Sequence, residues 1–111
     1  MTDKLIVFQK MYDLVKDIYP VINRFPKSHR PVLGKQIEEI SISILLLIIK
    51  ANKSRDGQRT VLQGDISDEL DSLRILIRLS KDLRFISIKK YLELVEKLNE
   101  IGKMVYGWSK S

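Results

Sequence analysis

The stretch that most constrains the fold is residues 40–52, ISISILLLIIKAN, because its apolar pattern fits three structures. The alternation of Ile and Ser is typical of a half-buried strand, and the unbroken Leu and Ile run is typical of a membrane segment. However, apolar residues recur at steps of three and four from Leu33 to Ala51, over about five turns, and a strand is rarely that long. The apolar run at residues 44–49 is far shorter than the roughly 20 residues that cross a bilayer. The stretch is therefore predicted to be a helix, with no membrane partner.

This helix is apolar on two faces. At about 100° per residue, one stripe passes through Ile37, Ile44 and Ile48. The apolar residues on the opposite side are Ile42, Leu45, Leu46 and Ile49. A central helix wrapped by its neighbours would bury both faces. Because contiguous exposed apolar patches usually mark interfaces, we instead expect these residues, with Ile75 and Leu79 of the third helix, to form a homo-oligomer interface.

Four periodic segments are predicted as helices separated by short joints. The first helix is expected at residues 3–24, with the core stripe Val7, Phe8, Met11, Leu14, Val15, Ile18 and Ile22. The third is expected at residues 61–84, after the joint SRDGQR, with the core stripe Leu62, Ile66, Leu70, Leu73 and Ile77. The second follows the joint FPKSH with Ser28 as its N-cap, and the fourth follows RFIS with Ser87 as its N-cap. The predicted core stripe of the fourth helix is Ile88, Tyr91, Leu92, Val95, Leu98, Gly102 and Val105. Short joints make neighbours antiparallel, so all 111 residues are predicted to form one all-α domain, an up-down-up-down antiparallel four-helix bundle.

The residue types needed for most catalytic sites are missing. There is no cysteine and a single histidine, His29, which excludes disulfides, thiolate chemistry, a His-based relay and a multi-histidine metal site. No Gly-rich phosphate loop occurs. Adjacent acids in a helix, as at residues 38–39 and 68–69, diverge by about 100° and do not pair for acid/base work. We therefore predict no catalytic residue, no metal and no cofactor, and a protein that is not an enzyme. The N-terminal sequence lacks a signal-peptide pattern, so the cytoplasm is the expected location.

Positive charge is concentrated at one end of the predicted bundle, where the first and third joints should meet. The cations of this basic end are Arg24, Lys27, Arg30, Lys35, Lys81, Arg84, Lys89 and Lys90. Only one acid, Asp82, belongs to the same segments, so this end carries +7 and the rest of the chain −1, within a net charge of +6. An ordinary solvated face is the alternative. The sign bias favours a polyanionic partner such as nucleic acid.

A second basic group lies along the third helix. Arg74, Arg78 and Lys81 are spaced four and three residues apart and form one ridge beside the core stripe. Asp71 and Asp82 stand at spacings that would allow ion pairs within the helix. Self-contained pairing and a docking ridge for RNA or an acidic protein surface both remain open from the sequence. Near the C-terminus, Tyr106 and Trp108 could stack bases or close one end of the bundle.

Three stretches in this order resemble the accessory variability determinant (Avd) family of diversity-generating retroelements. They are RFPKSHRPVLGKQIEE at residues 24–39, LDSLRILIRLSKDL at residues 70–83 and LNEIGKMVYGWSK at residues 98–110. The related four-helix proteins encoded in intervening sequences of ribosomal RNA genes usually carry an Arg-Arg-Ala…Asn-Ile-Ala-Glu-Gly signature in the second helix. Residues 36–52, QIEEISISILLLIIKAN, depart from that signature and favour the Avd branch. Pro31 departs from the family's usual bulky residue in the first joint.

The resemblance implies a non-enzymatic, barrel-shaped homopentamer that binds the retroelement's reverse transcriptase and its template RNA or RNA/DNA hybrid, and so supports mutagenic cDNA synthesis. Arg74 and Arg78 match the family's basic pair in the third helix, and Lys103 matches its basic residue near the C-terminal Gly-Trp. The alternative is an orphan structural or RNA-binding homo-oligomer of the intervening-sequence type, whose basic end would be incidental.

Overall fold

Residues 3–108, which the computed structural model describes, contain four α-helices and no strand. The helices are α1 Asp3–Asn23, α2 Lys35–Asn52, α3 Asp56–Asp82 and α4 Ile88–Trp108, with a π-helical turn at Arg30–Gly34 that leads into α2. The predicted all-α class and helix number are confirmed for this part of the chain. Ser109 and Lys110, at the end of the third resembling stretch, lie outside the described residues.

In two of the neighbouring pairs, contacts at two levels show that the helices run antiparallel. On α1 and α4, Lys10 pairs with Glu100, and Asp17 accepts a hydrogen bond from Lys97 at 2.7 Å, so residue numbers rise on one helix as they fall on the other. On α3 and α4, Gln63 donates to the carbonyl of Val105 and Arg74 donates to Asn99. Ser43 of α2 donates to Glu69 of α3. This arrangement is compatible with the predicted four-helix bundle.

The hydrophobic core lies between the helices and uses the predicted stripes of the first three. The buried core residues of these helices are Val7, Met11, Leu14, Ile18, Ile22, Ile37, Ile44, Ile48, Ala51, Leu62, Ile66, Leu70, Leu73 and Ile77. The alternating Ile and Ser of residues 40–44 lie within the helix α2. The buried hydroxyl of Ser41 is satisfied there, since it donates to the carbonyl of Ile37 at 2.7 Å.

The predicted stripe of the fourth helix is partly wrong. Ile88 and Leu92 are 69% and 58% exposed. The buried side chains of α4 are instead Leu94, Leu98, Ile101, Val105 and Trp108, of which Leu98 and Val105 were predicted. Apolar residues on α4 cover an arc wider than the part that meets the core, so helical periodicity alone does not choose between the two overlapping stripes.

Two boundaries also differ from the prediction, whereas a third agrees with it. The third helix begins at Asp56 and not at residue 61, because the apparent turn residues Asp56 and Gly57 form its first turn. Ser28 does not cap the second helix, since the π-helical turn follows His29 and has no side-chain cap. Ser87 is confirmed as the N-cap of α4, where its Oγ accepts a hydrogen bond from the backbone N–H of Lys90 at 3.0 Å.

Gly34 allows the first joint to pack closely on α1. A Cβ at this position would stand 2.7 Å from Cγ2 of Ile22, which is itself buried. The backbone of the π-helical turn can therefore approach α1 only without a side chain at residue 34. In the range 3–108, no helix is both long and apolar enough to cross a membrane.

Candidate nucleic-acid and protein interface

The first and third joints meet at one end of the molecule through aromatic side chains. The rings of Phe25 and Phe85 lie 5.4 Å apart, and the ring of His29 lies 4.7 Å from that of Phe85. Phe25 is buried, although it was not among the predicted core residues. The contact confirms that the two basic joints share an end, which was the premise of the charge argument.

Several of the predicted cations at this basic end already have partners. Arg30 donates from Nε to the carbonyl of Phe25 at 3.0 Å and from Nη2 to the carbonyl of Asn23 at 2.5 Å, so it satisfies carbonyls at and beyond the C-terminus of α1. The ion pairs at this end are Lys35–Glu39 at 3.8 Å, Lys81–Asp82 at 3.3 Å and Lys90–Glu93 at 3.0 Å. Sequence reasoning omitted Glu39 and Glu93, which their spacing of four and three residues could have revealed.

Four cations of the basic end have no side-chain hydrogen bond or ion pair within residues 3–108: Arg24, Lys27, Arg84 and Lys89. All four side chains are exposed. Two come from the first joint and two from the region of the third, which the aromatic contact brings to the same end. These four carry the positive charge that is available to a partner.

Arg84 has a backbone conformation that usually belongs to glycine. Its φ is 65°, and it follows the last turn of α3. The N–H of Phe85 donates to the carbonyl of Ser80 at 2.8 Å, and the N–H of Arg84 donates to that of Lys81 at 2.9 Å. This is the hydrogen-bond pattern of a Schellman C-cap, in which the left-handed position favours Gly. An arginine there costs backbone strain, and its side chain makes no hydrogen bond or ion pair within residues 3–108 that would compensate.

The two arginines of the predicted α3 ridge differ in their surroundings. Arg74 donates from Nε to Asn99 at 3.0 Å, from Nη1 to Asp71 at 2.7 Å and from Nη2 to the carbonyl of Leu98 at 3.4 Å. Its side chain is 28% exposed and clasps α4. Arg78 is 71% exposed, and its one ion pair within residues 3–108 is to Asp82, at 3.9 Å. Arg74 is therefore engaged in the contact of α3 with α4, whereas Arg78 remains available to a partner.

Lys81 of the predicted ridge and Lys103, which the resemblance singled out, both lie beside the contact of α3 with α4. Nζ of Lys81 stands 4.6 Å from the centre of the Tyr91 ring, a cation–π contact. Lys103 is exposed and lines a shallow cleft with Arg74, Asn99 and Tyr106. Gly102 forms the wall of this cleft, and a Cβ there would lie 3.0 Å from Nη2 of Arg74. Asn99 was not among the predicted residues, and Gly102 was predicted only as part of the core stripe of the fourth helix. Only the packing of α3 on α4 brings the two residues to Arg74.

The predicted oligomer residues lie on the surface of the chain. Ile42, Leu46, Ile75 and Leu79 are between 36% and 66% exposed, and Leu45 and Ile49 are half-buried. Leu46 and Ile42 line an open cleft on α2 with Leu47 and Lys50. Trp108 is buried at the end of α4, whereas Tyr106 is 63% exposed.

The electrostatic environment at the start of α4 is set by its lysines. The hydrogen bond from Lys90, with the charge of Lys90 and then Lys89 and Lys97, lowers the pKa of Glu93 below its ordinary value. Among the described residues, no group of three or more His, Asp or Glu side chains is placed to hold a metal ion. The chemistry that this surface offers is charge pairing and apolar contact.

Comparison with known proteins gives one match. A family model described as bAvd-like matches residues 5–111, which is nearly the whole chain. The comparison with curated proteins returned no match. The comparison with solved structures also returned none.

Proposed function

The chain belongs to the bAvd-like family, and from this premise we propose that it is an accessory protein of a diversity-generating retroelement. In this role it binds the reverse transcriptase and the template RNA or RNA/DNA hybrid through its basic surfaces. It does no chemistry itself, and it supports the synthesis of mutagenic cDNA by holding enzyme and template together in the cytoplasm.

The observation that carries the proposal is the group of unpaired cations at the basic end. Arg24, Lys27, Arg84 and Lys89 keep their charges available to a partner, while the other cations there are used in ion pairs or helix capping. Phosphate groups are the partners that neutralise such a cluster, and the release of their counterions would supply much of the affinity. Since point charges on phosphate read no bases, binding should depend weakly on RNA sequence.

The exposed apolar residues of α2 and α3 support self-association as part of the same function. Leu46 is 58% exposed and Ile75 is 66% exposed, although both stand on otherwise well-packed helices. We propose that these faces pack between copies of the chain, and the family resemblance suggests five copies. A ring of copies would repeat the basic end around one axis and raise its affinity for an extended RNA.

The test is RNA binding as a function of salt. Binding of a single-stranded RNA is measured by fluorescence anisotropy between about 50 and 200 mM salt, where each neutralised phosphate should contribute a log–log slope of about −0.7. The double variant Arg24→Gln with Lys27→Gln should bind more weakly and with a shallower slope. Its matched control, Lys16→Gln with Lys53→Gln, removes the same charge from exposed lysines outside the basic end and should leave the slope unchanged.

The protein partner is tested by co-purification with the reverse transcriptase of the same retroelement. Arg78→Glu should reduce recovery of the enzyme, because a guanidinium as exposed as that of Arg78 is open to pairing with carboxylates. A flat salt dependence together with full recovery of the enzyme by all variants would contradict the proposal. That result would favour an orphan oligomer with an incidental basic end.

A further inference from the structure

An open groove of about 900 Å³ lies at the turn between α3 and α4. Its apolar lining, here called its floor, is Phe85, Ile86, Ile88, Tyr91 and Leu92. Its polar lining, here called its rim, is Lys81, Asp82, Arg84 and Ser87. It is separate from the α2 cleft that holds Ile42 and Leu46, and the oligomer prediction does not include any of its residues.

The aliphatic side chains of this groove are left uncovered by the fold of the chain. Ile88 is 69% exposed and Leu92 is 58% exposed, and their spacing of four residues places them side by side on one face of α4. Two neighbouring aliphatic side chains in the lining of a groove can bury a bulky apolar group of a partner. Such a contact would remove apolar surface from water on both sides.

The charge around the groove is positive and unbalanced. Among the described residues, Asp82 is the only acid that lines it, and its carboxylate is shared between Lys81 at 3.3 Å and Arg78 at 3.9 Å. Arg84 at the rim and Lys89, next to Ile88 in the chain, have no ion pair within residues 3–108. A partner that covers the apolar floor therefore meets cations at its margins and should carry carboxylates there.

The aromatic rings of the groove are already engaged, which argues against a nucleic-acid base as the occupant. The Tyr91 ring is approached by the ammonium of Lys81 at 4.6 Å, and the Phe85 ring lies against those of Phe25 and His29. Binding of single-stranded nucleic acid relies on free aromatic faces on which bases stack. The exposed apolar surface of the groove is aliphatic, and an apolar side chain of a protein partner would remove it from water.

We propose that this groove binds an acidic amphipathic segment of a protein partner. A bulky apolar side chain of the segment lies against Ile88 and Leu92. Carboxylates on either side of it pair with Arg84 and Lys89, while Arg24 and Lys27 of the first joint remain open to phosphate. The strained conformation of Arg84 fits this role, because it places an arginine at the rim where glycine would cost less. The inference rests on the proposed function only for the identity of the partner, since the reverse transcriptase would be the protein that carries the segment.

The experiment uses synthetic peptide probes and the full chain. Three fluorescent peptides of equal length are compared: an amphipathic helix of Leu and Glu, the same charge pattern with Ser in place of Leu, and an amphipathic helix of Leu and Lys. The first should bind measurably more tightly than the other two. Leu92→Glu should weaken its binding about tenfold, because the variant removes an apolar contact and adds a repelling charge.

The matched control is Val61→Glu, which makes the same change of charge at a helical position that is 64% exposed and far along the chain from the groove. It should change peptide affinity by less than about twofold. Lys89→Gln should weaken binding of the Leu and Glu peptide and make the affinity less sensitive to salt. Helical content, measured by circular dichroism, should be unchanged in all three variants, since each side chain is exposed.

Three outcomes would overturn the proposal. If the Ser and Glu peptide bound as tightly as the Leu and Glu peptide, binding would depend on charge alone and not on the apolar floor. If Leu92→Glu left the affinity unchanged, the peptide would bind outside the groove. A change of particle mass in Leu92→Glu, measured by light scattering, would assign the groove to a second copy of the chain. None of these results touches the salt dependence of RNA binding, so failure of this inference is distinguishable from failure of the proposed function.

Discussion

The two seams that α4 forms with its neighbours are both lined by charged residues, but they use charge differently. At the α1–α4 seam, Lys10 pairs with Glu100 and Lys97 with Asp17, so each cation there meets an acid of the other helix. At the α3–α4 seam no cation described above pairs with an acid of the facing helix: Arg74 donates to the amide of Asn99 and the carbonyl of Leu98, and Lys81 lies over the Tyr91 ring. Arg78 is exposed, and Arg84 lines an apolar groove.

The difference shows that the charged residues of a seam can either hold two helices together or remain open to a partner. What decides is the neighbouring helix, because an acid or a carbonyl opposite a cation commits it to the fold. Lys97 and Arg74 have such acceptors on the facing helix, whereas Arg78 has only a distant acid on its own helix. A binding surface on this protein is best sought where the facing helix offers no acceptor.

The largest expected effect comes from breaking the clasp itself. Arg74→Ala removes the hydrogen bonds to Asn99, Asp71 and the carbonyl of Leu98, and should lower the free energy of unfolding by about 1–2 kcal/mol. Arg78→Ala, its control on the same helix, should stay within about 0.5 kcal/mol of the unmodified protein. Urea unfolding followed by circular dichroism measures both. Equal stability of the two variants would show that Arg74 is as available to a partner as Arg78.

A smaller effect is expected at Gly102, which lies against the guanidinium of Arg74. Gly102→Ala places a Cβ 3.0 Å from Nη2 of Arg74, so the guanidinium must shift, whereas Gly64 has no neighbour within 4 Å of an added Cβ. Gly64→Ala should stabilise the chain by about 0.5–1 kcal/mol because alanine favours the helix. Gly102→Ala should fall short of that gain by about 1 kcal/mol. Equal gains in the two variants, measured by urea unfolding, would mean that the clasp tolerates crowding.

Much of this architecture follows from periodicity in the sequence. The core stripes of the first three helices are carried by apolar residues at helical spacing with polar residues between them, as at Leu62, Ile66 and Leu70. The fourth helix carries apolar residues around a wider arc, so Ile88 and Leu92 were indistinguishable from core residues. The start of α3 was misplaced because Asp56 and Gly57 form a common turn pair, and nothing local shows that they begin a helix.

The candidate site was less predictable because it depends on what lies opposite each charge. The meeting of the two basic joints follows from antiparallel helices, and Glu39 and Glu93 follow from spacing. The acceptors of Arg74 on α4 depend on the relative rotation of two helices, which periodicity does not fix. The left-handed conformation of Arg84 is equally hidden, since the residue usually found there is glycine.

At the other seam, the interhelical ion pair of Lys97 should contribute only a few tenths of a kcal/mol, because both partners are about half exposed and screened by solvent. The hydrogen bond to Asp17 raises the pKa of Lys97 above its ordinary value. The stabilisation by this ion pair is therefore fully present below the ordinary pKa of a lysine, and it is lost as pH rises through the raised pKa of Lys97 in the folded protein. Lys97→Met should lower stability slightly at low salt and not at high salt, as measured by urea unfolding. A loss independent of salt would mean that the side chain stabilises by packing and not by charge.

The smallest effect concerns Glu93, which pairs with Lys90 on the α3–α4 side of the basic end. Because the hydrogen bond from Lys90 lowers the pKa of Glu93, its contribution is present above the ordinary pKa of a glutamate and is lost as pH falls through the lowered value. The unmodified protein should therefore be slightly more stable than Glu93→Gln at neutral pH, and the difference should disappear in acid. Glu96→Gln is the control, since Glu96 is exposed on the same helix and makes no ion pair within residues 3–108. Urea midpoints at neutral and acidic pH give both differences, and a difference for Glu93→Gln that survives in acid would show that the lysine does not act on Glu93 through its charge.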